Sequence, residues 1–408
     1  MQQWGTLNAG LLLGATCLTA LPVTAQDGGV SIVLGVEQRL SYGRNVGLEV
    51  PAEGSTSRST TRLRFGITSQ TPLDTLSFTA ATSLVAENSP STDGTEYDID
   101  NPDLRLTYTR EIPNALLSFE AQLRRDDVDE FGEDIAEDDE PGTRTDHGLR
   151  LTYETGRQSP LGFMVGAEYL ATEYEDTVDP DLDDTQTRTL MAGLRFDLSE
   201  VTTARLDFEL EREEEDDPLE LDTDTWTAMA GVELDRPNGS LGGLLTYTDV
   251  ERSEQRTTLE VIRALTFPDG ELEARLGVTH ASETGTDLVG ALTWSRTLPD
   301  TRLDVSLVRE VSYDVDDDET VEDTSLGVAW SRDVNPLSSL TLGFTYEISD
   351  SPSELIEQAE VEAIYSYSLT PDWQLESGVS YTVRDDLDGR ATSPAVFVSL
   401  GREFNLRP

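Results

Sequence analysis

Downstream of residue 25, apolar side chains recur at every second position along nearly the whole chain. Ile32, Leu34, Val36, Leu40 and Tyr42 share one side of a stretch whose other side carries Ser31, Glu37, Arg39 and Ser41. The same alternation runs through Leu63–Phe65–Ile67, Leu104–Leu106–Tyr108, Leu149–Leu151–Tyr153, Leu206–Phe208–Leu210 and Leu340–Leu342–Phe344–Tyr346. A period of two puts successive side chains on opposite faces of a strand. A helix would need apolar residues at steps of three and four, which these windows lack. The chain therefore predicts an all-β fold whose strands each have one apolar and one polar face.

The punctuation is regular. Short connections fall near Pro72, Pro113, Pro160, Ser199-Glu200, Pro237, Pro268, Pro299, Pro336 and Pro371. Proline suits a tight turn and has no place inside a central strand. Between these turns lie ten longer, acidic connections, at 43–57, 88–99, 126–145, 174–185, 212–223, 250–256, 282–286, 314–322, 350–356 and 385–391. Ten loops and nine turns predict 20 strands with both ends on one side. Arg263 lands on an apolar face in the segment 250–265, where one strand pair is open to another reading, so 18 or 22 strands are the alternatives.

With 27% charged and 37% hydrophobic residues, the composition alone suits a soluble β-protein, and no later run is long enough for a membrane-spanning helix. A transmembrane barrel reconciles composition with pattern, because only one face of each strand meets lipid. Aromatics mark two levels. Phe196, Phe267, Trp294, Trp330, Trp373 and Phe404 fall near the short turns; Tyr42, Tyr169, Tyr247, Tyr313, Tyr346 and Tyr381 fall near the long loops. Amphipathic rings favour the headgroup level, so two girdles are expected.

The ends add a compartment. Residues 9–21 are apolar and uncharged, Pro22 breaks the run, and Val23-Thr24-Ala25 supplies small residues for cleavage. This reads as a signal peptide over 1–25 ahead of a barrel over 26–408. Cys17, the one cysteine, falls inside the leader, so the mature chain would hold no disulfide. At the other end Val396, Val398, Leu400, Arg402 and Phe404 share one face. A last alternating strand closing on an aromatic resembles the C-terminal targeting signal of bacterial outer-membrane β-barrels; here Asn405 to Pro408 follow the aromatic, where the family's pattern ends on it. The resemblance to porin-like barrels covers the mature length. It implies a transmembrane up-and-down antiparallel β-barrel in the bacterial outer membrane, surrounded by its lipid and lipopolysaccharide. It also implies that the barrel-assembly machinery reads the strand ending at Phe404.

The formal net charge is −51, and all 29 basic residues are arginine. Ten of the fifteen residues from Asp126 to Glu140 are acidic, as are seven of ten in 211–220 and seven of ten in 314–323. Such runs are ordinarily solvated loops extended by self-repulsion. The sharper reading is divalent-cation binding at these acidic loops, bridging to lipopolysaccharide phosphates; a saline habitat would select the same acidity without a site. Asp314, Asp316 and Asp318 have a calcium-loop spacing, but Glu319 and Ser325 stand where an EF-hand needs Gly and Glu. Nucleic acid is excluded as a partner, because phosphate contacts need a basic surface.

The polar strand face is expected to line a lumen. It carries Arg39, Arg62, Arg64, Arg105, Arg124, Arg150, Arg195 and Arg205, with Glu111, Glu120, Glu154, Glu168, Glu209 and Asp304 among its carboxylates. Mixed charges on a barrel wall mean a hydrated pore or a network of pairs, since unpaired burial costs several kcal/mol per ion. The arginines crowd the first half of the chain, so one wall should be the more positive. The first strand begins about five residues after the inferred cleavage site, which leaves no room for a receptor-type plug. His147 and His280 fall in phase with the lipid-facing residues, and no G-x-S-x-G motif occurs, so no enzyme activity and no cofactor are expected. The reading is a passive channel for ions or small hydrophilic solutes with a weak cation preference. The alternative is a non-catalytic barrel serving envelope structure or exopolysaccharide export through its acidic loops.

Overall fold

The structure is a computed structural model. It describes residues 29–406 except 53, 91–93, 128–141, 176, 178–181, 216–221, 252–254, 283–284, 315–318, 353 and 388. The inferred leader over 1–25 lies outside the described residues, as do Asp316, Asp318 and most of the 126–140 run.

Twenty strands follow one another: β1 Gly29–Arg44, β2 Ser55–Gln70, β3 Asp74–Asn88, β4 Glu96–Ile112, β5 Ala115–Asp127, β6 Thr143–Thr155, β7 Leu161–Glu175, β8 Thr185–Ser199, β9 Thr202–Glu215 and β10 Thr223–Arg236. The second half holds β11 Gly239–Val250, β12 Gln255–Phe267, β13 Gly270–Ala281, β14 Gly285–Leu298, β15 Thr301–Asp314, β16 Glu319–Asn335, β17 Ser338–Asp350, β18 Leu355–Thr370, β19 Trp373–Asp386 and β20 Gly389–Leu406. Each strand pairs antiparallel with the next, and β20 pairs back onto β1 from Ala395 opposite Gly43 to Leu406 opposite Ile32. The sheet is a closed barrel of 20 strands, as the alternation predicts, with both ends at the short-turn side.

All nine expected turns connect strands where the sequence places them. The loops are shorter than expected. Strands run into the acidic segments because main-chain pairing continues after the apolar alternation stops: Glu211 and Glu213 sit in β9 opposite Thr225 and Thr223. The connection expected over 385–391 shrinks to 387–388, and that over 282–286 to 282–284, which brings these two within the range of turn lengths. At the first, the Gly389 amide donates to Asp386 Oδ1 at 3.2 Å, and Gly389 takes a φ of 125° that favours glycine. Pro102, inside β4, falls at an irregular place, where the β3–β4 register shifts between Ala81 and Ser83.

Register fixes the faces, because residues opposite one another share a side. Leu34, Val36, Leu40 and Tyr42 of β1 stand with Phe404, Arg402, Val398 and Val396 of β20. This aliphatic set stays exposed all round the barrel, for example at Leu151, Leu190, Val232, Val278 and Leu342. Among the described residues nothing covers it, as expected of a surface facing lipid. The aromatics expected at the two levels share this face, including Trp294 opposite Val305 and Trp330 opposite Leu342. Arg263 is on it too, opposite Leu241 and Ala274, and the register around it is continuous, so the 18- and 22-strand alternatives fall. Its guanidinium turns to the turn end, donating to the Ser240 carbonyl at 2.8 Å and to Asn238 Oδ1 at 3.1 Å.

Candidate functional site: the charged inner wall

The opposite face of every strand encloses the lumen, and the charges collect there. Register places the expected arginines and carboxylates on it together. Arg62 stands opposite Glu37, Glu120 opposite Arg150, and Arg150 opposite Glu168. Arg124 lies between Asp103 of β4 and Asp146 of β6. Ion pairs run along the wall: Arg64 to Glu37 at 3.2 Å, Arg105 to Glu120 at 3.2 Å and Arg150 to Glu168 at 3.7 Å. Each of these pairs joins neighbouring strands, so none of them bridges the lumen.

Three expected wall charges work at the turn-end mouth. Arg195 donates to the carbonyls of Gly156, Arg157 and Ser159 at 3.0, 3.2 and 2.9 Å, fixing the turn between β6 and β7. Glu111 holds Arg157 of the same turn at 2.8 Å, and Glu154 reaches it at 4.0 Å. Gly156 has a φ of 77°, and a Cβ there would lie 2.3 Å from the Leu161 carbonyl oxygen, so this turn requires glycine. Arg205 stands opposite Arg195, a like-charged pair eased by Asp197, 3.2 Å from Arg195, and by Asp207 beside Arg205 on the same face. Glu209 is buried on the wall opposite Met191 and Thr227. Asp304 is bound to Arg302 two residues back, at 2.6 Å.

Far from the arginine-rich strands, the wall changes character. Glu310 of β15 faces Asp323 of β16 in the register. Glu347 of β17 lies between Ser325 and Gln358. On β18, Glu360 lies between Thr345 and Thr382, and Glu362 between Gly343 and Ser380. No arginine stands opposite any of these five. Small polar neighbours supply partial relief, as where Ser349 donates to Asp323 at 2.8 Å and Ser366 to Glu376 at 3.2 Å. The sequence pattern does not mark Asp323 or Glu376; Asp323 sits at the edge of an acidic run that reads as loop, and only the strand pairing brings it to the wall.

One lumenal aromatic also escapes the alternation. Phe397 lies on the inner face opposite Gly378, with the Arg39 guanidinium 3.8 Å from its ring centroid. The ring covers the bare glycine on the neighbouring strand. His147 and His280 are on the outer face, where His280 meets the Thr286 hydroxyl at 2.9 Å and His147 lies 3.6 Å from Glu173. Among the described residues, no group of three His, Cys, Asp or Glu side chains is placed to hold a metal ion.

No family model matches the sequence, and no curated protein does. Solved structures do. The siderophore receptor PirA from Pseudomonas aeruginosa aligns with a TM-score of 0.54 at 13% identity, over 93% of this chain and 80% of that one. A mutant of the ferric enterobactin receptor PfeA from the same organism aligns at 0.56 and 11%, over 92% and 80%. The outer membrane protein OpdK, also from Pseudomonas aeruginosa, aligns at 0.44 and 10%, over 93% and 99%. At these identities the likeness is one of fold. With the closed barrel and its uncovered aliphatic belt, the likeness to the two receptors defines the class: a closed antiparallel β-barrel of the outer-membrane type.

Proposed function

We propose that the protein is a passive outer-membrane channel for ions or small hydrophilic solutes, with a weak preference for cations. The observation that carries this is the division of the inner wall. Arginines such as Arg64, Arg105 and Arg150 on β2 to β6 are paired with carboxylates on the neighbouring strand, and so are largely neutralised in place. On β15 to β18, Glu310 faces Asp323, and Glu347, Glu360 and Glu362 stand opposite uncharged residues, with no arginine across the ladder. Between the two arcs, the pairing runs along the wall and leaves the centre to water. A barrel of this strand number is wider than those of 16–18 strands that already hold an aqueous channel. A negative wall raises the local cation concentration, and salt weakens the effect. The test is planar-bilayer conductance of refolded protein under a KCl gradient. Expected are open-channel steps and a reversal potential of cation sign that shrinks as ionic strength rises. A barrel that never conducts would show that the wall charges fill the lumen, and an anion sign would give control of the field to Arg62, Arg64 and Arg105.

A further inference from the structure

The barrel wall has a seam where the ladder between β14 and β15 stops short of both strands' ends; the ladder between β4 and β5 also stops short, at Asp103 opposite Arg124. The ladder between β14 and β15 ends at Gly290 opposite Arg309. Beyond that rung β14 continues through Gly285–Val289 and β15 through Glu310–Asp314, five residues on each side. Both segments keep their other neighbours: Val289 to Gly285 pair with Gly277 to Ala281 of β13, and Glu310 to Asp314 with Asp323 to Glu319 of β16. By contrast, the β1–β2 ladder runs unbroken over all sixteen residues of each strand.

An open sheet edge does not persist against hydrocarbon, because its N–H and C=O groups find no partner there; it is tolerated where protein or water from a cavity reaches it. Here protein supplies part of the answer. Arg256, on the inner face of β12, donates to the main-chain carbonyl of Val311 across the ends of β13 and β14. Val311 itself is only 8% exposed, although its phase in β15 is that of the lipid-facing Leu307, whereas Leu288 on the other lip is 62% exposed. The lips are two-sided: Leu288 and Val311 are in phase with the outer aliphatic face, while Asp287, Glu310 and Ser312 are in phase with the lumen.

We propose that this seam is a lateral portal between the lumen and the outer leaflet, filled by Val311 and latched by Arg256. An opening with aliphatic outer lips and hydroxyl and carboxylate inner lips suits a single-chain amphiphile with an uncharged or cationic head. Such a solute would bring its head through the lumen while its chain enters lipid. The portal extends the channel reading, since it needs a lumen reached by water, and the test separates the two.

The protein, reconstituted in phosphatidylcholine vesicles without Cys17, would carry one cysteine at a time, Ser312→Cys at the seam or Thr152→Cys on a fully paired part of the inner wall. Each is treated with a dodecyl maleimide dissolved in the membrane, and separately with a charged, water-soluble maleimide. Expected is at least tenfold faster dodecyl labelling at position 312 than at 152, increased further by Arg256→Ala. Equal dodecyl rates at the two positions overturn the portal. Amide hydrogen exchange of the otherwise unaltered chain is the second readout: residues 286–289 and 310–312 should lose protection well before 277–280 and 320–324. Equal protection overturns the portal whatever the cysteine variants do. Failure of the water-soluble reagent at both positions would instead sink the open-lumen reading, and with it the portal, which needs that lumen.

Discussion

The guanidinium of Arg39 lies 3.8 Å from the centroid of the Phe397 ring, joining β1 to β20 on the inside of the barrel where the two ends of the chain meet. Phe397 in turn covers Gly378 of β19, so a single ring links three strands at the closure. A Cβ at position 378 would lie 2.3 Å from one ring carbon and 2.6 Å from the next. Gly378→Ala must therefore displace the ring and break its contact with Arg39. The expected cost is about 1–3 kcal/mol, as for other overpacked sites. Urea unfolding in vesicles measures it. Wild-type stability in that variant would mean the ring has another place to go.

The two arcs of the wall should respond unequally to neutralisation. Replacing Glu347, Glu360 and Glu362 together by Gln removes carboxylates that face no arginine in the register, and should move the reversal potential clearly toward anions. Replacing Glu154, Glu168 and Glu209 should move it the same way but less. Glu168 already holds Arg150 at 3.7 Å, and Glu154 reaches Arg157 at 4.0 Å. Equal shifts from the two sets would show that pairing along the wall does not screen its charges.

Salt provides an independent check on the same field. The Debye length falls from about 10 Å at 0.1 M to about 3 Å at 1 M, so the preference should fade over that range. A preference unchanged at 1 M would place selectivity in a narrow contact rather than in the wall as a whole.

Arg263 shows how depth sets the cost of charge on the outer face. It sits near the turn end and reaches Ser240 and Asn238 there. Arg263→Leu should change stability by no more than about 1 kcal/mol, because near the interface an arginine costs roughly 0–1. Val261→Arg, one step further into the belt on the same face, should cost about 2–4 kcal/mol as the midplane is approached. Similar effects for both would misplace the belt along β12.

Phe404 is the last aromatic of the outer row of β20, which runs on to Leu406 opposite Ile32; the Arg402 guanidinium is 4.3 Å from the Phe404 ring centroid and 5.3 Å from that of Trp373. If the assembly machinery reads this row, Phe404→Ala lowers the amount of heat-modifiable, membrane-inserted protein severalfold, with the loss going to periplasmic proteolysis. Normal amounts in that variant would remove Val396, Val398, Leu400 and Phe404 from any targeting role.

Strand number, direction and the two faces were legible in the chain itself, because a period of two is a local property and turn chemistry marks each reversal. Arg150 and Glu168 could be assigned to one face from alternation alone. Pairing distances could not, since they depend on the stagger between neighbouring strands. That is why Arg195, one more wall charge by its phase, proves to be a clasp on the 156–160 turn. The ends of strands are not legible for a related reason: main-chain hydrogen bonds carry β9 and β16 into acidic stretches where side-chain pattern gives no signal. Asp323 reached the wall only through its partners on β15 and β17. The early end of the β14–β15 ladder left no trace in the sequence, because whether two adjacent strands stay together is decided by the geometry of closing the whole sheet, and no segment of chain carries that information alone.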